Sequence, residues 1–92
     1  MQLNDFLKQA RLAAKLSQSQ VAKQLGYFTP QFISNWERGQ SNPPVSQLKR
    51  IAALYKIAPD GLFEQVLAEV VRHTKQEMER KFFGSKKRSA GA

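Results

Sequence analysis

The chain has 92 residues, no cysteine, a single histidine and a formal net charge of +8. That length suffices for one domain around a modest core, while the cysteine count and the lone His73 exclude a disulfide framework, a thiolate zinc site and a cluster of soft metal donors. No leader-like segment and no apolar run near the roughly 18 residues of a membrane span is present, so a soluble cytoplasmic protein without cofactor is expected, its charge favouring a polyanionic partner.

The chain reads as helices throughout, with no alternation of the kind a strand shows. Phe6, Leu7, Ala10 and Ala14 recur at helical spacing and predict a first helix over 4–15. In LSQSQVAKQLG, Ser17 and Gln20 make a capping box, Leu16 and Val21 a hydrophobic staple, and Gly26 suits a left-handed end. A second, short helix over 18–25 follows. GYFTPQFISNWERG then supplies Thr29 as N-cap, Pro30 at the first helical position and Phe28 placed to staple onto Ile33. The third helix, 30–38, ends at Gly39. Ile33 and Trp36 mark its buried face and leave Gln31, Ser34, Asn35 and Arg38 on others, with Tyr27 filling the turn.

Two consecutive prolines make 40–44 a loop. A fourth helix over 45–55 carries Val45, Leu48, Ile51, Ala52 and Tyr55 as its apolar stripe. Pro59 opens a fifth that meets no breaker before residue 82. If 62–67 complete the core, Val70, Val71, Thr74, Met78 and Phe82 remain exposed on the extension, a pattern that marks an interface. Homodimerisation is the natural use. A break near His73 with the helix folding back over its own domain is the competing reading. The division expected is therefore a domain over 1–67, a helical extension over 68–83 and a disordered basic tail over 84–92, whose KKR cluster serves phosphates, a minor groove or solubility.

Two short helices joined by a tight turn, the second capped by Thr-Pro and displaying amides, form a helix-turn-helix on physical grounds. At ARLAAKLSQSQVAKQLG, PQFISNWERGQSNPP and LKRIAALYKIAPDGLF the sequence resembles the Cro/CI-type, lambda-repressor-like (XRE) helix-turn-helix family, over about residues 3–63. The resemblance implies an all-α, five-helix DNA-binding domain, here with an extended C-terminal helix, in a bacterial or phage-type regulator that binds operator DNA as a dimer, its third helix in the major groove. The turn YFTP is one residue longer than the common family pattern, and Pro30 stands where a polar base-contacting side chain is frequent.

Base readout falls to Gln31 and Asn35, four apart on one face, because an amide can pair bidentately with adenine. Ser34 is a further candidate, and Phe32 either meets a thymine methyl or sugar edge or shields the space between the second and third helices. The resemblance nominates Gln18, with Ser17 and Ser19 beside it, as a phosphate contact at a helix N-terminus. Lys23, Arg38, Gln40, Asn42, Lys49 and Arg50 are placed to meet the DNA backbone, and Arg11 with Glu37 is implied as a structural ion pair. Asp60, Glu64, Glu69, Glu77 and Glu79 scatter along one helix without forming an acid/base pair, so no enzymatic activity is expected. A transcriptional repressor is the leading expectation; an antitoxin-like partner-binding module and an architectural DNA protein of low specificity are the alternatives.

Overall fold

Four helix ends share one device. The computed structural model describes residues 1–84, which hold α1 (Leu3–Ala13), α2 (Gln18–Leu25), α3 (Gln31–Glu37), α4 (Leu48–Tyr55) and α5 (Pro59–Phe83), with no strand among the described residues. Past α1, α2, α3 and α4 a residue takes a left-handed conformation, and the amide of the residue after it donates back to a carbonyl five positions earlier: Leu16 to Arg11, Tyr27 to Ala22, Gln40 to Asn35 and Ile57 to Ala52. This is the Schellman closure. Glycine fills the strained position at Gly26 and Gly39, as the sequence predicts. Lys15 and Lys56 fill it after α1 and α4, at φ 61° and 59°. The first helix therefore stops at Ala13 rather than running to residue 15.

The start of α2 carries the full capping box: Gln20 N donates to Ser17 Oγ at 3.0 Å and Ser17 N to Gln20 Oε1 at 2.7 Å. At α3 the expected Thr29 cap with Pro30 as first helical residue does not form: Pro30, its φ fixed by the ring but its ψ near 6°, stands at the N-cap, Thr29 Oγ1 accepts only from Gln31 N at 3.3 Å, and the regular turns begin at Gln31. Two further expectations fail. Phe28 makes no staple onto Ile33: it is fully solvent-exposed, at 106%. The Schellman closure of α2 turns Tyr27 inward, its ring centroid 6.1 Å from that of Trp36, and the next residue of the turn is thereby directed outward. Val45 likewise leaves the apolar stripe of α4. It is exposed, because Val45–Gln47 form a 3₁₀ turn after Pro44, whose different period takes Val45 off the helical face.

The core is built by Leu3 and Leu7 of α1, Val21, Ala22 and Leu25 of α2, Ile33 and Trp36 of α3, Leu48, Ile51, Ala52 and Tyr55 of α4, and Leu62 and Val66 of α5. Between 62 and 67 only those two α5 residues are buried; Phe63 and Leu67 are part of an exposed stripe. The helix α5 passes unbroken through His73. On its exposed faces, Arg72 is paired with Glu69, Lys75 with Glu79 at 3.2 Å and Arg80 with Glu77. Such pairs three or four apart each stabilise an isolated helix by about 0.2–0.5 kcal/mol, which supports a segment that leaves the core behind. The C-terminal KKR cluster lies outside the described residues.

Candidate nucleic-acid interface

Among the described residues, charge in the interior comes from two side chains. Arg11 and Glu37 are both buried, with Arg11 Nε donating to Glu37 Oε2 at 2.6 Å and Arg11 Nη2 to Glu37 Oε1 at 3.0 Å. This fork joins α1 to the C-terminal end of α3. Two further bonds extend it: Arg11 Nη1 donates to the carbonyl of Leu16 at 2.8 Å, and Gln18 Nε2 donates to Glu37 Oε1 at 3.0 Å. One network thus ties α1, the turn after it, the first residue of α2 and the end of α3. The hydrogen bond from Arg11 to Glu37 holds the guanidinium pKa above its ordinary value, against the desolvation that lowers it. Tyr55 lies buried near the pair, its hydroxyl without a hydrogen-bond partner among the described residues; burial pushes the phenol well up.

With both ends of α3 fixed, its sequence decides what faces solvent. Ile33, Trp36 and Glu37 point inward, and the opposite face carries Gln31, Asn35 and Arg38. These three are linked: Gln31 Nε2 donates to Asn35 Oδ1 at 2.9 Å, and Arg38 Nη2 donates to the same oxygen at 2.9 Å. Because a guanidinium can only donate, Arg38 fixes which end of the Asn35 amide it meets, and Gln31 must then offer its own N–H. Gln31 keeps a free carbonyl oxygen and a second amide proton. Asn35 keeps only donors.

Ser34 and Phe32 flank this row. Phe32 is exposed on one side, its ring centroid 4.9 Å from that of Tyr27, so it covers the turn between α2 and α3 while presenting its outer edge to solvent. At the start of α2, the Ser17 oxygen is occupied as a cap, which leaves its hydroxyl proton free, and the amides of Gln18 and Ser19 have no helical partner. The side chain of Gln18 is drawn to Glu37, a tie that a reading of motifs does not disclose. Lys23, Gln40, Asn42, Lys49 and Arg50 are exposed, with no side-chain hydrogen bond to α3 among the described residues. Phe28 was missed as a surface residue because the staple pattern that it completes in sequence accounted for it.

The geometry defines a tight helix-turn-helix whose second helix displays hydrogen-bonding side chains on a short, firmly held rod, the arrangement by which proteins enter a major groove. Residues 7–62 match the model of the helix-turn-helix family, and the chain belongs to that DNA-binding family. Over 62 residues it is 37% identical to the HTH-type transcriptional activator BcrR of Enterococcus faecalis, a stretch that takes in 67% of this chain and 30% of that protein. The chain thus spans less than a third of the length of the curated relative it matches. Among the described residues, no helix is long and apolar enough to cross a membrane, and no three or more His, Cys, Asp or Glu side chains are grouped to hold a metal ion.

Proposed function

We propose that this protein is a cytoplasmic, sequence-specific binder of double-stranded DNA that regulates transcription as a homodimer, with α3 in the major groove. The observation that carries the reading is the linked row Gln31, Asn35 and Arg38 on the one face of α3 that packing leaves free. Gln31 retains the acceptor and donor needed to pair with adenine N6 and N7, and is the base reader. Asn35 aims Gln31 and offers its remaining N–H groups to acceptors on the neighbouring base, and Arg38 reaches the adjoining phosphate or a guanine. Ser34, Phe32 and the protruding Phe28 supply polar and apolar contact along the groove walls, thymine methyls being the natural apolar target.

The unpaired amides of Gln18 and Ser19 and the hydroxyl of Ser17 hold a phosphate at the N-terminus of α2, while Lys23, Gln40, Asn42 and Lys49 contact the backbone on either side. Occupying an operator blocks transcription by itself, so repression requires nothing beyond these contacts, and repressor is our primary reading. The similarity to a transcriptional activator favours a second reading in which the bound protein recruits the transcription machinery. Neither reading needs a catalytic group or a cofactor.

Selection of bound sequences from a random duplex library at near-physiological salt tests the proposal. Enrichment of an inverted repeat is expected. Binding without enrichment would demote the protein to an architectural role, and no binding at all would direct the search to a protein partner.

A further inference from the structure

The exposed apolar face of α5 has an internal symmetry. Leu67 and Phe82 lie equally far from the midpoint between Thr74 and Lys75, and so do Val71 and Met78. A helix that packs on a copy of itself about a two-fold axis, running the opposite way, needs this arrangement: each residue must meet its mirror-numbered counterpart. We propose that two copies pair antiparallel along α5 with the axis between Thr74 and Lys75, so that Leu67 faces the partner's Phe82 and Val71 the partner's Met78. The proposal rests on the dimeric DNA-binding reading above and specifies its geometry.

Three arguments converge on a second copy. The first is periodicity: the steps from Leu67 through Val71, Thr74 and Met78 to Phe82 are four, three, four and four, and the last departs from the heptad alternation and keeps the stripe in line on a nearly straight helix, as an 11-residue pattern does. The second is area. Leu67, Val71, Met78 and Phe82 are 42%, 57%, 66% and 82% exposed and offer up to roughly 500 Å² per copy, hence up to about 1,000 Å² across the pair, the floor for a specific interface.

The third is length. At 1.5 Å per residue the axis lies about 19 Å along α5 from Leu62, so the two domains' anchoring residues are separated by about 38 Å. Half-sites one helical turn apart on DNA are about 34–36 Å from centre to centre. In this arrangement the length of α5 between Leu62 and the axis contributes to the separation of the two domains, and so of their half-sites.

The chain has no cysteine, so single substitutions report unambiguously. Val71→Cys and Met78→Cys, both at exposed positions, are mixed, allowed to exchange and oxidised. The expected result is a disulfide-linked dimer in the mixture, with little from either variant alone. Self-linking of each variant without linking in the mixture indicates a parallel pair and overturns the proposal; so does a monomeric mass by sedimentation at tens of micromolar. DNA binding measured on the same samples separates these failures from a failure of the α3 reading, since a monomer that still prefers one half-site leaves that reading intact.

Discussion

Phe28 and Tyr55 show how single side chains depart from their expected places. Phe28 stands fully in solvent, contributing nothing to the core. Phe28→Ala is therefore expected to leave the thermal midpoint unchanged and to weaken binding to the selected DNA, with a smaller loss on DNA in which deoxyuridine replaces thymidine. A lowered midpoint with unchanged DNA affinity would show that Phe28 serves the fold after all. Tyr55 is the reverse case, a buried hydroxyl with no hydrogen-bond partner among the described residues. Burial raises its pKa, with the Glu37 carboxylate adding to the shift and Arg11 opposing it. The folded chain keeps the phenolic proton where the unfolded chain begins to release it, near pH 10. Its contribution is thus fully present below about pH 10 and lost as pH rises towards the folded value. In urea titrations at pH 8 and pH 11, Tyr55→Phe should match or exceed the parent by up to about 1 kcal/mol at the lower pH and lose less at the higher one. An equal loss in both proteins would refute this origin of alkaline lability.

At the scale of elements, the Arg11–Glu37 fork with Gln18 is what holds α2 and α3 in a fixed turn. Removing one partner of a buried ion pair costs about 3–5 kcal/mol, because the other charge is left without compensation. Glu37→Ala is accordingly expected to lower the unfolding free energy from urea titration by that amount, and to weaken DNA binding through loss of the fold rather than of a contact. A loss below about 1 kcal/mol, the value of an exposed pair, would contradict the network's role. Much of this level was legible in the sequence. Ser17 and Gln20 announced the start of α2, Gly26 and Gly39 the ends of α2 and α3, and the four-residue step from Gln31 to Asn35 their common face. Lys15 and Lys56 were not legible, since left-handed closure by a lysine has no residue signature and is imposed by the packing that follows. Val45 was misplaced because a 3₁₀ turn and a helix share the same apolar start, and the bond from Gln18 to Glu37 spans two helices that periodicity treats separately.

For the molecule as a whole, the four-helix core with the first turns of α5 presents α3, and the rest of α5 carries an apolar stripe away from it. Basic charge lies mainly on the core and beyond residue 83, whereas 59–83 holds four Lys/Arg against five Asp/Glu, which suits a segment that meets a second protein copy rather than phosphate. Each phosphate neutralised releases counterions, so affinity is expected to fall with salt at a log–log slope of about −0.9 per phosphate contacted. The central claim, that α3 reads base sequence through Gln31 and Asn35, is tested most directly by titrating the selected duplex and a scrambled duplex with the parent, Gln31→Ala and Asn35→Ala at one fixed salt concentration. Each substitution is expected to weaken the selected site by roughly 1–3 kcal/mol and to leave the scrambled duplex nearly unaffected. Equal weakening on both duplexes, or none on either, would contradict it.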